Sequence, residues 1–347
     1  MDGNLQPTPS GSTFIADRFG RSLRDLRISV TDRCNFRCPF CMPHEALGFR
    51  YSFLPREEIL TFEETARLVR IFVSLGVRKV RLTGGEPLLR NQIENLIAQL
   101  ASIPGLDDLA LTTNGFLLAQ KAQALKAAGL KRITVSLHSL DPQVFGRLNG
   151  RGFGPQRVIE GIEEATRVGL EPVKINVVVQ RGVNEQEVVA LARFCKERGY
   201  IIRFIEYMDV GSLNHWRMDD VVPADEIVKR VNAVFPLEPL QRGYGDTALR
   251  YRYRDGSGEV GVIPSVTKPF CGDCTRLRLS AEGKAYTCLF ASDGYDLKGL
   301  VRSGASDEAI RQHIIALWSQ RTDRYSEARA TLPLRPNRKV EMFQVGG

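Results

Sequence analysis

No stretch of this 347-residue chain approaches the roughly 20 apolar residues of a membrane-spanning helix, so no membrane partner is expected. The first thirteen residues, Met1 to Thr13, are polar with Pro and Gly and lack the apolar core of a secretory signal. Residues 1–13 are therefore expected to form a disordered leader. There is no Lys/Arg run of five or more, which argues against a basic tail on nucleic acid. No internal repeat or low-complexity tract is evident. Seven cysteines are too few for a disulfide scaffold, and the number is odd. Their short spacings in an unexported chain predict metal in a reducing cytoplasm. Composition is otherwise that of a globular protein, with 43% hydrophobic and 25% charged residues. The formal net charge of +8 suits a nucleic acid, a membrane surface or a small polyanion.

Three of the cysteines fall within eight residues, Cys34-Asn35-Phe36-Arg37-Cys38-Pro39-Phe40-Cys41. A [4Fe–4S] cluster has four irons, each wanting a thiolate or a substitute. The C-x3-C-x2-C spacing holds three and leaves one iron open for chemistry. A zinc knuckle or a redox-active cysteine pair is the alternative. Zinc usually needs a fourth Cys or His nearby, and His44 is the only candidate.

From Leu26 to Met208, short β-rich segments alternate with helical ones. Strands are expected at Leu26–Thr31, Lys79–Thr83, Leu109–Asn114, Ile133–His138, Val173–Val179 and Ile201–Tyr207. Helices are expected near Gln92–Ala101, Leu117–Ala128, Pro155–Val168 and Glu185–Arg198. Another opens at Thr61 with Glu64 three residues on, a capping-box pattern, and stops at Gly76. Six β/α units predict a parallel sheet with right-handed crossovers. A closed barrel needs eight units, so the fold class is α/β, a partial (β/α)6 TIM-type barrel. It spans residues 14–222. Residues 223–347 form a C-terminal extension that closes the open side, with a helix at Pro223–Val234, two hairpins and a helix at Ser306–Ser319.

These strands alternate where buried parallel strands should be apolar throughout. Leu26, Ile28 and Val30 oppose Arg27, Ser29 and Thr31. Val80 and Leu82 oppose Lys79, Arg81 and Thr83. Further on, Thr112, Thr134, Ser136, His138, Lys174 and Asn176 share the polar face. That face is expected to line a cavity for a polar anion, although a solvated face would give the same pattern. In the sixth strand Arg203 and Met208 have opposite parity, which a bulge or a strand end between them would reconcile.

Cys271, Cys274 and Cys288 form a second group, C-x2-C-x13-C, compatible with a zinc ribbon missing one ligand or with a second open-iron cluster. Arg276 and Arg278 beside it point the same way on a strand and offer fork geometry for phosphate oxygens, or are solvated strand arginines. Gly84-Gly85-Glu86-Pro87 follows the second strand, where a glycine pair admits a close ligand and Glu86 can accept from an ammonium group. Cys195 reads as an ordinary buried thiol.

Cys34-x3-Cys38-x2-Cys41 after the first strand, with Gly84-Gly85-Glu86-Pro87 after the second, resembles the radical S-adenosylmethionine superfamily. Leu26–Asn35, Leu82–Leu88, Thr112–Gly115, Cys271–Arg278 and the closing Gly346-Gly347 resemble, more narrowly, the GTP 3′,8-cyclase family (molybdenum cofactor biosynthesis protein A). The resemblance covers about residues 14–347. It implies a lyase that converts GTP to (8S)-3′,8-cyclo-7,8-dihydroguanosine 5′-triphosphate in the first step of molybdenum cofactor biosynthesis. It implies two [4Fe–4S] clusters and S-adenosyl-L-methionine as cofactors, with Cys34, Cys38 and Cys41 holding one cluster and Cys271, Cys274 and Cys288 the other. By the same resemblance, Phe40, Gly85, Ser136 and Met208 contact S-adenosylmethionine. Arg27, Arg81, Thr112, Lys174, Arg276, Leu277 and Arg278 contact GTP, with Lys79 and Arg203 as secondary phosphate partners. The Gly346-Gly347 tail reaches the active site. The implied partners are a flavodoxin- or ferredoxin-like reductant and, for product hand-off, cyclic pyranopterin monophosphate synthase. A monomer or homodimer in the cytoplasm is expected, without nucleic acid. Two positions depart from the family pattern: Phe40 replaces Tyr, and His138 replaces an acidic residue. Two rival readings are a radical enzyme that modifies peptides with an auxiliary cluster, and a zinc-stabilised nucleic-acid-binding protein.

Overall fold

In a computed structural model, which describes residues 5–7, 13–43, 52–329 and 340–346, the six expected strands form one parallel array. They are β3 (Asp25–Ser29), β4 (Lys79–Thr83), β5 (Asp108–Thr113), β6 (Arg132–Ser136), β7 (Lys174–Val179) and β8 (Ile201–Glu206). Before them, β1 (Leu5–Pro7) pairs antiparallel with β2 (Thr13–Ile15). Part of the expected disordered leader is thus in a strand. His44 lies outside the described residues.

Helices cover the outer face: α1 (Phe62–Ser74), α2 (Ile93–Ala101), α3 (Leu118–Ala127), α4 (Pro142–Asn149), α5 (Gln156–Arg167), α6 (Val188–Glu197) and α7 (Ala224–Asn232). The Thr61 capping box is formed: Thr61 Oγ1 accepts from the Glu64 amide at 3.1 Å, and Glu64 Oε2 accepts from the Thr61 amide at 2.8 Å. Such a cap contributes about 1 kcal/mol. Helix α4 was not anticipated. Its signal was Asp141-Pro142, an N-cap carboxylate accepting from Gln143 and Val144 with proline in the first turn. The short helix gives little periodicity to read.

Strand parity decides which side chains pack. Leu26, Ile28, Val80, Leu82, Leu109, Leu111, Ile133, Val135, Ile175 and Val177 sit in one continuous core with the helices. The hydrophobic core is therefore outside the sheet, and the lumen is left to the polar face.

The C-terminal region joins the same sheet. In it are β9 (Leu237–Pro239), β10 (Leu249–Tyr253), β11 (Glu259–Ile263), β12 (Arg276–Leu279), β13 (Lys284–Tyr286) and β14 (Tyr295–Asp296), followed by α8 (Asp307–Ser319) and α9 (Met342–Val345). Both hairpins form, but each also adds a parallel strand to the barrel. β11 pairs with β8, Val260 opposite Ile202, and β12 pairs with β3, Leu277 opposite Leu26. The order is β14-β13-β12-β3-β4-β5-β6-β7-β8-β11-β10-β9. The extension thus closes the open side without pairing β11 to β12. The chain between those two strands, residues 264–275, crosses the gap and carries Cys271 and Cys274.

Glu206, at the end of β8, anchors that crossing. Its buried carboxylate accepts from the amides of Ala224 (2.7 Å), Val266 (2.7 Å) and Thr267 (2.9 Å) and from Thr267 Oγ1 (2.5 Å). Removing the acceptor strands buried donors at about 1–3 kcal/mol each. Glu206→Ala should lower unfolding free energy by about 3–5 kcal/mol. Equilibrium denaturation in urea checks this, and a loss below about 1 kcal/mol would show that water satisfies these donors.

Candidate active site between two cysteine triplets

The first triplet sits at the C-terminal end of the sheet, where β3 leaves the barrel. The loop folds back at Cys38, whose carbonyl accepts from the amides of Cys41 (3.0 Å) and Met42 (2.8 Å). Cys34, Cys38 and Cys41 line one cavity. Burial is the largest cause that pushes the Cys34 thiol up to about 12, and it also raises Cys38 and Cys41. Thiols crowded this way are costly to ionise unless a cation replaces their protons.

Two elements brace this loop. The α4 end holds it through Asn149, whose carbonyl accepts from the Arg37 amide at 2.8 Å. The turn after β4 straps the other side. The Gly85 amide donates to Thr31 O at 2.7 Å and the Glu86 amide to Arg33 O at 2.8 Å. A Cβ on Gly85 would lie 2.2 Å from Arg33 O. The glycine is therefore required by the cysteine loop itself, besides lining the cavity. Glu86 lines the same cavity and accepts from Leu88 N (3.0 Å), Thr113 Oγ1 (2.6 Å) and Asn114 N (2.7 Å), so most of its acceptor capacity is met within the protein. Burial raises its carboxyl to about 7, against the pull of those hydrogen bonds.

Phe40, Gly85, Ser136 and Met208, the residues expected around S-adenosylmethionine, all line the cavity of the first triplet. β8 ends at Glu206, so the opposite parity of Arg203 and Met208 is resolved by a strand end. His138 is buried, and burial depresses it to about 4, so the imidazole is neutral. Its Nδ1 accepts from Val178 N at 3.2 Å and its ring meets Phe40 edge-to-face at 5.1 Å. It supports the cluster-loop aromatic by packing, a task that needs no acid.

The second triplet faces the first across the lumen. Cys271, Cys274 and Cys288 line a cavity with Arg27, Arg81, Thr112, Arg203, Met208, Arg276 and Arg278. Thr112, Asn176, Ile205 and Met208 line both cavities, so the two are continuous. Burial pushes the Cys274 thiol up, but Arg276 and Arg321 outweigh it and leave the thiol near 7. Arg276 Nη2 donates to Cys274 Sγ at 3.2 Å. Among the described residues no three His, Cys, Asp or Glu side chains are arranged to hold a single metal ion. Three thiols around a wider cavity suit a multi-iron cluster, where each takes a different iron. Both triplets fit that group by donor type.

Toward the N-terminal ends of the strands, Lys79, Arg132 and Lys174 join Arg27, Arg81, Arg203 and Arg276 around a third, adjoining cavity. Arg278, Arg27 and Arg81 sit opposite one another on three adjacent strands. Two cations of the group have acidic partners, Lys79 with Asp25 (3.4 Å) and Arg132 with Asp108. Three of the others have neutral oxygen acceptors. Arg81 donates to Thr112 Oγ1 (3.1 Å) and Thr134 Oγ1 (2.9 Å), Arg203 to Asn176 Oδ1 (2.9 Å) and Arg276 to Gly245 O (3.2 Å). Burial and mutual repulsion lower Arg27 to about 10, Arg203 to about 9 and Lys174 to about 7. Arg81 and Arg278 are also depressed, by burial first and their neighbours second.

Leu277 does not join this group. Strand alternation turns its side chain into the core, fully buried, between Arg276 and Arg278 facing the lumen. The tail does reach the site. α9 places Met342 on the first cavity's wall, and Arg278 donates to the carbonyls of Val345 (3.2 Å) and Gly346. Gly346 has φ +68°, and a Cβ there would collide with Thr83 Oγ1. Gly347 lies outside the described residues. Sequence reasoning missed Arg132, Thr247 and Phe270 on the walls. Arg132 was recoverable, since it shares parity with Thr134. Thr247 and Phe270 are on loops, where no periodicity marks a facing side chain.

Residues 28–195 match the radical SAM superfamily model, and residues 200–327 match the Molybdenum Cofactor Synthesis C model. The second match begins before β8, although sheet pairing makes β8 part of the barrel. The chain is 52% identical to a GTP 3′,8-cyclase of Acidothermus cellulolyticus, covering 96% of this chain and 99% of the relative. It is 51% identical to one of Xanthomonas axonopodis pv. citri and 45% identical to one of Staphylococcus aureus, with the same coverages. Among solved structures, Streptococcus suis SuiB bound to S-adenosylmethionine aligns with a TM-score of 0.61 at 16% identity, over 86% of this chain and 66% of that one. That likeness carries the fold, a partial barrel with an open sheet. The two cysteine triplets, the cationic lumen and near-full-length identity of 45–52% place the chain in the GTP 3′,8-cyclase family of the radical S-adenosylmethionine superfamily.

Proposed function

We propose that this chain converts GTP to 3′,8-cyclo-7,8-dihydroguanosine 5′-triphosphate in molybdenum cofactor biosynthesis. The observation that carries the reading is the run of lumen cations leading from the second triplet toward the N-terminal ends of the strands, most of them without a carboxylate. A triphosphate supplies the negative charge that this region lacks. Two unit charges about 5 Å apart repel by roughly 3 kcal/mol at an effective dielectric near 20, so a polyanion relieves several such terms at once.

The expected roles follow the cavities. Phe40, Gly85, Ser136 and Met208 hold S-adenosylmethionine beside a cluster on Cys34, Cys38 and Cys41. When bound, the clusters and S-adenosylmethionine supply the electron and the carbon radical. Cys271, Cys274 and Cys288 would hold a second cluster, which would supply a binding position for the guanine on the opposite wall. Arg27, Arg81, Lys174, Arg276 and Arg278 bind the phosphates, with Lys79 and Arg203 behind them, and Thr112 fills the wall between the cavities. Fixing both ends of the nucleotide would hold C3′ and C8 in a reactive geometry. Leu277 contributes a packed backbone only. The reading extends to a flavodoxin- or ferredoxin-like reductant, transfer of product to cyclic pyranopterin monophosphate synthase, and a cytoplasmic setting. No helix among the described residues is long and apolar enough to cross a membrane. A peptide substrate would leave the lumen cations uncompensated.

Replacing Arg276 and Arg278 together by Ala should weaken GTP binding by at least about 100-fold, two charge-assisted contacts, without abolishing iron incorporation. Anaerobic calorimetry and iron analysis check both, and unchanged affinity would refute the phosphate role. Lys174 gives a pH signature. Its ammonium is depressed to about 7 in the ligand-free site, and a bound polyanion favours the charged form. Binding therefore takes up a proton above pH 7, and affinity should fall with slope approaching tenfold per pH unit from 7.0 to 8.5. Lys174→Met should flatten the profile; an equal slope in the variant would assign the effect elsewhere. Removing Gly346-Gly347 should spare reductive cleavage of S-adenosylmethionine but impair cyclisation. Product analysis by mass spectrometry decides, and a fully active truncation would remove the tail from the reaction.

A further inference from the structure

The crossing segment that bears Cys271 and Cys274 has little regular structure of its own, one short turn at Cys271–Asp273. Two arginines from distant parts of the chain hold its main chain. Arg21, in the segment before β3, is 1% exposed, and its Nη1 donates to Cys271 O (2.9 Å) and Asp323 O (2.8 Å). Arg321, just beyond α8, is 4% exposed, and its Nη1 donates to Cys274 O at 2.8 Å. Both guanidiniums share Asp17, a buried carboxylate 2.6 Å from Arg21 Nε and 3.4 Å from Arg321 Nη1. Asp17 Oδ1 also accepts from the amides of Phe19 and Arg21, each at 2.9 Å.

Trp318 on α8 completes the unit. Its Nε1 donates to Arg21 O at 3.0 Å, and Arg321 stacks on its ring at 4.5 Å. The fully buried indole and Asp17 leave little room for either arginine to choose another position. Burying two guanidiniums is expensive, and anchoring a surface loop would not require it. Each guanidinium gives its Nη1 to the carbonyl of a ligand residue. In metal sites, such outer partners orient the ligands and tune what they hold.

We propose that Arg321 and Arg21, joined through Asp17, are positioning residues of the second cysteine triplet: they fix the main chain at Cys271 and Cys274 and thereby set the retention and reduction potential of the cluster those thiolates hold. The inference rests on the reading that this triplet holds a cluster. Loss of the clamp lets the two thiolates move independently, so iron escapes faster. Loss of a nearby cation also disfavours the more negative, reduced state of the cluster, so its potential falls.

The test uses the full chain with Cys34, Cys38 and Cys41 replaced by Ala, so that iron reports the second triplet alone. In this background about four irons per chain are expected. Arg321→Ala should release iron to a chelator at least roughly tenfold faster, with a lower midpoint in an EPR-monitored titration. Arg321→Lys keeps the charge but cannot reach Cys274 O and Asp17 together. It should release iron faster than the parent while its midpoint stays close to the parent's, which a general loss of fold would not produce. It also serves if the Ala variant does not fold. Parental iron-release rates in Arg321→Lys, or parental rate and midpoint in a folded Arg321→Ala, would overturn the inference. A parent background without iron would instead overturn the cluster reading on which it rests.

Discussion

Apart from Arg132, which pairs with Asp108, the lumen arginines with hydrogen-bond partners are oriented without a carboxylate, and much else in the structure is arranged around that constraint. Arg81 is held by two threonine hydroxyls, Arg203 by an asparagine carbonyl, Arg276 by the Gly245 carbonyl and Arg278 by two tail carbonyls. A carboxylate at any of these places would stabilise the free protein more. It would also cancel the charge that recognises a phosphate and repel the ligand itself. Neutral acceptors fix the guanidinium planes and leave their charge outstanding. The free site is correspondingly strained, as the depressed arginines and Lys174 record.

A barrel that keeps such a lumen has to be stable by other means. The usual interior of stacked branched aliphatics is absent, and the apolar contacts lie between the sheet and its helices. The two hairpins of the C-terminal region then protect both edges of the parallel array, which would otherwise expose unpaired backbone. They stop short of joining. A hydrogen-bonded closure would leave no place for a cysteine-bearing segment, whereas the open seam takes residues 264–275 and turns a gap in the sheet into the wall that carries Cys271 and Cys274.

How much of this was visible in the sequence depends on the range of the interaction responsible. Alternation has a period of two residues, so the lumen set of Arg27, Arg81, Thr112, Ser136 and Lys174 could be read directly. The Thr61 capping box spans four residues and was equally legible. The same rule of alternation, applied to β12, would have excluded the Leu277 side chain from the site. What stayed hidden was non-local. Leu277 pairs with Leu26 across some 250 residues of chain, and the hairpin pattern of β12 revealed only its near neighbour β13. The glycine of Gly84-Gly85 was visible, but its neighbour, the Arg33 carbonyl, was not. Arg21 and Arg321 have local carboxylate neighbours in Asp17 and Asp323, but their link to the cysteines runs through main-chain carbonyls, which have no identity in a sequence.

The tail shows how these ranges combine. Phe343 packs with Met42 beside the first triplet, while Glu341 accepts from Ser212 N (2.9 Å) and Oγ (2.8 Å) on the loop after β8. Gly211 has φ +76° on that loop, and a Cβ there would overlap the Glu341 carboxylate. These contacts bring Gly346 against Thr83 and Arg278, so one short segment touches the first cysteine loop, the loop after β8 and the lumen face of β12. It gives Arg278 a pair of carbonyl dipoles, which orient the guanidinium and leave its charge uncompensated.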